Sequence, residues 1–337
     1  MVLHSDNPST SDAFEISVVI PALNEEDSIR QLLEDVLGQT HQPAEIVITD
    51  GGSTDKTREI IEEFIAAGAP VKLVRVTKSM PGRARNLAVI ESRCEWIAFT
   101  DAGITLRPEW LEALVTSASE NSAEVVYGTY EPIIESFFTE CAAIAYVPPP
   151  FQSDGGPVRP RSIVSALMRR QAWETVGGFP EHLRSAEDLL FMSQVEQSGF
   201  TIARTSRAKV YWHIQPTFWR TFKRFVEYSR NNIRAGLFSE WQQTIFLYYA
   251  LIAATTFGVF FMGPRGLIFP PVAWLLLLVA RSAKTLYQNR KTYPAGLGRN
   301  LARLILLVPI LATLDAAAFI GSVNWLLRDQ LGLIGSK

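Results

Sequence analysis

Through the first 130 residues, short apolar runs alternate with stretches of helical periodicity. Ile16–Pro21 (ISVVIP) reads as a β-strand and Ser28–Leu37 as a helix. Glu45–Asp50 (EIVITD) is a second strand, followed by the turn GGSTD and the helical run Lys56–Ala67. Val71–Val76 is a third strand, Arg83–Arg93 a helix, and Trp96–Asp101 (WIAFTD) a fourth strand. Strands this apolar, separated by helices, predict a mostly parallel sheet covered on both faces, an α/β fold of the Rossmann-like kind. Ligands of such sheets bind beyond the carboxyl ends of the strands, so the residues after Pro21, Asp50 and Asp101 should share one cleft. The pattern loosens after a further strand at Val125–Tyr130. Residues 136–162 are rich in Pro and Gly and read as one long loop. Ser165–Arg170, the Gly177-Gly178 turn, a helix over Ser185–Ser198 and a strand at Lys209–Trp212 complete this part.

Beyond Glu240 the character changes. Residues 241–264, 266–280 and 304–327 carry one charge between them, Asp315. Runs of this length predict membrane segments at about 241–264, 266–283 and 304–327, within a helical region 241–330. The middle one is short and contains Pro270 and Pro271, so a re-entrant or interfacial piece is its alternative. Residues 1–240 hold 23 basic and 32 acidic side chains, against nine and two in 241–337. Six of those nine lie in Arg281–Arg303, which holds no acid and is therefore expected on the cytoplasmic side. An acidic first half makes nucleic acid a poor partner. The polar tail 1–15 lacks the apolar core of a secretory signal, so the expected location is the inner cell membrane, multi-pass, with the first half cytoplasmic. Two cysteines, Cys94 and Cys141, have no metal-site spacing and read as reduced thiols. The segment 216–240 interleaves aromatic and basic residues at helical spacing, which suits an amphipathic helix at lipid headgroups or a helix packed on the soluble domain.

Candidate chemistry gathers at the strand ends. Asn24-Glu25-Glu26 and Asp50-Gly51-Gly52-Ser53-Thr54-Asp55 fit either a ligand-contacting turn or the capped start of a helix. Asp101 ends an apolar strand too far from the next helix to cap it, and is placed to hold a divalent cation. Glu187-Asp188 opens a helix. Its local alternative is stabilisation of the helix dipole, and by local pattern alone that alternative prevails over a proton-accepting role. Arg83, Arg85 and Asn86 follow the third strand, where they could meet a diphosphate or form an exposed helix face. His213 is a candidate nitrogen ligand to the metal or a structural histidine.

Five runs in order, SVVIPALNEEDSI, IVITDGGSTDKT, PGRARNLAV, WIAFTDAGI and RRQAWETVGGF with EHLRSAEDLLF, resemble the family 2 glycosyltransferases of GT-A fold over residues 16–215. The resemblance implies transfer of a sugar from a nucleotide-diphosphate-sugar donor with inversion at the sugar carbon. Pro21, Glu25 and Asp50 would surround the nucleotide, and Arg85 and Asn86 would follow its base and phosphates. Asp101 would bind donor and metal (Mg2+ or Mn2+) as the first acid of a DxD motif, and Asp188 would be the catalytic base. The second acid of that motif is Gly103 here, so Asp101, diphosphate, water and His213 are left to hold the ion. No QxxRW follows Glu187-Asp188, which argues against processive synthases. The expected acceptor is a lipid, a lipid-linked glycan or a polysaccharide at the membrane. The alternatives are a polyprenyl-phosphate glycosyl synthase, although GRARN departs from the KGxG-like run of those enzymes, and a non-enzymatic nucleotide-sugar sensor.

Overall fold

The computed structural model describes residues 14–260 and 269–333. The polar tail expected over 1–15 therefore lies almost wholly outside the described residues, as do 261–264 of the first expected span and 266–268 of the second. The chain divides into two compact units, Met1–Glu131 with Pro150–Trp212, and Pro132–Pro149 with His213–Lys337.

The first unit follows the predicted alternation: β1 (Ile16–Ala22), α1 (Ile29–Leu37), β2 (Glu45–Asp50), α2 (Thr57–Ala66), β3 (Val71–Arg75), α3 (Pro81–Glu91) and β4 (Trp96–Phe99). After β5 (Ile104–Leu106), α4 (Trp110–Glu120) and β6 (Val125–Ile133), the chain makes α5 (Phe137–Tyr146) and a hairpin, β7 (Phe151–Ser153) with β8 (Gly156–Val158). Then come β9 (Ala166–Arg169), α6 (Arg170–Val176), α7 (Glu187–Gln197) and β10 (Ile202–His213). One eight-stranded sheet runs β3-β2-β1-β4-β9-β6-β10-β5. Its first four strands are parallel, and β9 turns the order antiparallel, making the sheet mixed. Val18, Ile20, Ile46 and Ile48 sit under one face with Leu32, Leu33 and Ile61 of the covering helices. Val19, Val47, Ile97 and Phe99 sit under the other with Val89, Phe179 and Phe191. Burial on both faces is why these strands read as continuous apolar runs.

Register brings the strand ends together. Ala22 pairs with Asp50 and Asp50 with Arg75, while Phe99 pairs with Val19. The loops after β1, β2, β3 and β4 thus leave the sheet on one edge.

The long loop expected over 136–162 is corrected. Its first part is α5, opened by a capping box in which the Ser136 hydroxyl accepts the Thr139 backbone N–H at 3.1 Å. The Pro-rich composition that suggested a loop belongs to residues 148–162, and it masked the ten-residue helix before it.

The second unit is helical: α5, α8 (Phe218–Arg234), α9 (Phe238–Trp241), α10 (Gln243–Phe260), α11 (Phe269–Gln288) and α12 (Leu297–Trp325), the last continued by a π-helical turn, Leu326–Gln330. Among the described residues, two helices are long and apolar enough to cross a membrane: Phe269–Gln288, with mean hydropathy 1.2, and Leu297–Gln330, with 2.2.

Candidate active site

The turn after β1 and the turn after β2 are locked to each other. Asn24 adopts a left-handed φ of +55°, which puts its backbone N–H on Ser53 Oγ (2.9 Å) while its Oδ1 accepts the Thr54 N–H (2.9 Å). The Glu25 N–H donates to Thr57 Oγ1 at 2.7 Å, and Lys56 N–H donates back to Glu26 at 3.1 Å. Gly52 needs its positive φ of +105°, and a β-carbon there would sit 2.4 Å from the Thr77 carbonyl oxygen. Helix α2 begins at Thr57 after Lys56, with no side-chain cap from Ser53 or Thr54, and the turn before it is a built, close-packed rim. Asp50 is fully buried. Its carboxylate accepts the Ser53 N–H (3.1 Å) and the Arg58 Nε–H, so it organises the rim from beneath. Glu25 accepts the Ser28 hydroxyl at 2.7 Å, and its Oε2 lies 3.7 Å from where a β-carbon on Gly103 would stand. Pro21 is half-buried, one residue before the end of β1.

The centre of the site is an arginine flanked by acids. Arg85, on the first turns of α3, has a side chain only 4% exposed. It donates twice to Asp101, at 2.7 and 2.9 Å, and once to Glu187, at 2.8 Å. Asp101 follows β4 and Glu187 opens α7, so one guanidinium joins a strand end to a distant helix. Burial alone would lower the Arg85 pKa, but Asp101, Glu187 and Asp188 around it outweigh that and hold it above its ordinary value. Glu187 is pushed up to about 7, by burial first and by Asp188 second, against the pull of Arg85. Asp188 is also raised, by burial and by the charge of Asp101. Three carboxylates share one guanidinium here, so the cluster favours holding a proton near neutrality. Ala186, immediately before the acid pair, takes a left-handed φ of +70°. Such strain in a residue with a β-carbon is tolerated where the surroundings over-determine the backbone.

Asn86, the next residue of α3, uses all its side-chain capacity within the protein. Its Oδ1 accepts the Phe179 N–H (2.8 Å) and Trp173 Nε1–H (3.0 Å), and its amide donates to the Phe179 carbonyl and to Glu181 (both 2.9 Å). Gly82 and Gly178 permit this approach, since β-carbons there would stand 2.3 Å from the Pro180 carbonyl and 2.7 Å from Asn86 Oδ1.

The structure thus brings Arg85, Asp101, Glu187 and Asp188 together, and interlocks the Glu25 and Asp50 turns. Arg85 and Asn86, expected to follow the donor, hydrogen-bond to protein partners, Arg85 to Asp101 and Glu187 and Asn86 to Trp173, Phe179 and Glu181. Glu187 is the residue that sequence reasoning passed over. The signal was present in its adjacency to Asp188, but the partner Arg85 is 102 residues away. His213 belongs to the second unit, where its Nδ1 faces Glu135 at 3.4 Å, both side chains being exposed. Among the described residues no group of three or more His, Cys, Asp or Glu is placed to hold a metal ion. The donor set near Asp101 is nevertheless hard oxygen, with Asp101 30% exposed and Glu25 beside the open Gly103 position. That set fits a Mg2+ or Mn2+ ion which takes most of its ligands from phosphate and water.

Residues 17–176 match the family model Glycosyl transferase family 2. The chain is similar to the succinoglycan biosynthesis protein ExoA of Rhizobium meliloti, with 29% identity over 220 residues, covering 61% of this chain and 66% of that protein. It is also similar to the glycosyltransferase AglE of Haloferax volcanii, with 28% identity over 193 residues, 56% of this chain and 63% of that protein. The match spans just under two thirds of the length of these relatives. In fold, the chain resembles the mannosyltransferase PcManGT of Pyrobaculum calidifontis, with a TM-score of 0.56 and 18% identity over 94% of this chain and 89% of that one. The mixed eight-stranded sheet is the GT-A fold, and residues 17–176 form a family 2 glycosyltransferase domain.

Proposed function

We propose that this glycosyltransferase moves a sugar from a nucleotide-diphosphate-sugar to a hydroxyl acceptor by a single inverting displacement, with Asp188 as the base. The observation that carries the reading is the Arg85 bridge, which fixes the Glu187-Asp188 pair against Asp101 at the carboxyl edge of the sheet. Asp188 accepts the proton of the acceptor hydroxyl as its oxygen bonds to the anomeric carbon. The bond to the nucleotide diphosphate breaks on the opposite face of the sugar. A carboxylate with a raised pKa is the better base near neutral pH, because its proton affinity matches the task.

The turns carrying Glu25 and Asp50 form the nucleotide rim in this reading, with Pro21 at its floor. Asp101, with Glu25 near it, would hold a Mg2+ or Mn2+ ion, which when bound neutralises charge on the departing diphosphate. The fold relative PcManGT is a complex with GDP-Man and Mn2+, which supports a donor and ion of these classes. The acceptor is assigned to a lipid, a lipid-linked glycan or a growing polysaccharide at a membrane surface, because apolar helices follow the domain and one relative is named for succinoglycan biosynthesis. The polyprenyl-phosphate reading is less favoured, since a phosphate acceptor has little need of a raised, buried base. Inversion is tested by proton NMR of the first product formed from an α-linked donor. A β-linked product is expected, and an α-linked one would overturn the mechanism.

A further inference from the structure

We infer that α12, apolar as it is, does not cross the bilayer but lies along one leaflet, so that both of its ends meet water on the same side. The inference concerns the second unit alone. From Arg303 to Asp329 the helical stretch rises by 26 residue steps, about 39 Å at 1.5 Å per step, more than the roughly 30 Å of a hydrocarbon core. Length and composition therefore permit a crossing, and the partners of the helix decide the matter.

At its start, Arg303 and Arg299 are both paired with the buried Glu140 of α5. At its end, Asp329 accepts two hydrogen bonds from Arg230 of α8, at 2.7 and 2.8 Å, and lies 3.7 Å from Arg234. Helix α8 begins on α5, where Phe138 stacks edge-on against Phe218 and Tyr146 lies against Phe225, both at 4.9 Å. It then follows the second half of α12. Ser229 donates to the Ala318 carbonyl at 2.9 Å, and a β-carbon on Gly321 would stand 2.6 Å from the Val226 carbonyl. If α12 crossed the membrane, α8 would have to accompany it from the face where α5 sits to the opposite one. Yet α8 carries Arg220, Lys223, Arg224, Glu227, Arg230 and Arg234 within 17 residues. Such a helix cannot sit in hydrocarbon but suits an interface.

The two faces of α12 agree with an in-plane position. Arg303, Leu307, Ile310, Asp315, Ala318 and Gly321 are buried against the unit. Leu301, Ile305, Ile320, Val323 and Leu326 form the opposite stripe and are 44–69% exposed. Exposed apolar residues near both ends, opposite a buried side that carries Arg303 and Asp315, suit a helix half-sunk in lipid. Its partner is the hydrocarbon of one leaflet.

The test is sidedness of two positions in the full chain expressed in a bacterial membrane. Lys291→Cys lies before α12 and Leu333→Cys after it, both exposed, while the native Cys94 and Cys141 are buried. Each variant is treated with a membrane-impermeant maleimide in spheroplasts and in inverted vesicles, with labelling after detergent solubilisation as the full scale. The same preparation should label both positions. Labelling of one in spheroplasts and the other in inverted vesicles would overturn the inference. So would shielding of either position in both preparations.

Discussion

Arg85 offers the sharpest physical test of the site, because its removal leaves three carboxylates without the guanidinium they share. Arg85→Met keeps much of the side-chain volume while deleting three charge-assisted hydrogen bonds. Breaking a buried ion pair on one side costs about 3–5 kcal/mol, a large share of the 5–15 kcal/mol by which domains are stable. At about 2–4 °C per kcal/mol for a unit of this size, the melting temperature should fall by roughly 6–20 °C near pH 8. The loss should depend on pH in a definite direction. Glu187 is already held at about 7 with Arg85 present, and without it at least one further proton should be retained by the folded state. The unfolded carboxylates are ionised above about pH 5. The folded state then binds more protons than the unfolded one, so stability falls as pH rises, by about 1.4 kcal/mol per pH unit for one proton. Between pH 6 and pH 8 the variant should therefore lose up to about 2.7 kcal/mol more than wild type does. Tryptophan-fluorescence melts of the detergent-solubilised chain at the two pH values read this out. A loss below about 1 kcal/mol, or one equal at both pH values, would refute the description of the cluster. Arg85→Lys should recover only part of the loss, since a point charge cannot reach Asp101 and Glu187 with a planar fork.

Gly177 and Gly178 make a matched pair. Both have positive φ, but a β-carbon on Gly177 meets nothing within 4 Å and one on Gly178 meets Asn86 Oδ1 at 2.7 Å. Gly177→Ala should cost about 1 kcal/mol of backbone strain, whereas Gly178→Ala should cost about 1–3 kcal/mol more by displacing the doubly bonded Asn86; equal melting temperatures would show that the contact is unimportant. In the helical unit, burial pushes Glu140 up, but Arg299 and Arg303 outweigh it and hold its carboxyl below the ordinary value. Its stabilisation is then complete above the ordinary carboxylate range and lost as pH falls through the depressed value. Glu140→Gln should destabilise the chain by about 3 kcal/mol at pH 7 and flatten the acid limb of the stability curve; an unchanged limb in equilibrium unfolding would contradict the ion pair. Asp101→Asn should weaken nucleotide-sugar binding in the presence of Mn2+ and remove its response to a chelator. Calorimetric titration checks this, and affinity equal to wild type under both conditions would exclude Asp101 from the donor site.

The parallel half of the sheet was legible because its strands are buried on both faces, so that ISVVIP, EIVITD and WIAF stand out as uninterrupted apolar runs. The antiparallel half was harder to read. β10 runs from Ile202 to His213, but its polar residues at Arg204, Ser206 and Arg207 left only Lys209–Trp212 visible. Helix α5 was hidden by the prolines that follow it, although Ser136 and Thr139 form a capping box detectable by spacing. For the site, strand ends located Asp50, Asp101 and the turns between them. Their division into rim and strut was not legible, because it depends on contacts such as Arg85 with Glu187 and Asn86 with Phe179, across 102 and 93 residues. Local sequence also placed Glu187-Asp188 at a helix start, where a dipole role explains them equally well. Only the guanidinium beneath them marks the pair as part of a cluster. The disposition of α12 was least legible, since hydropathy records length and composition but not the charged helix packed alongside.

The claim that Asp188 takes the acceptor proton is tested most directly by Asp188→Asn, which keeps the side-chain shape and removes the base. Transfer of labelled sugar from the nucleotide donor should fall by about 10²–10⁴-fold, the usual worth of general-base catalysis. Donor affinity, measured on the same preparation by calorimetry, should stay close to wild type. Turnover within a few-fold of wild type, with donor binding intact, would contradict the account.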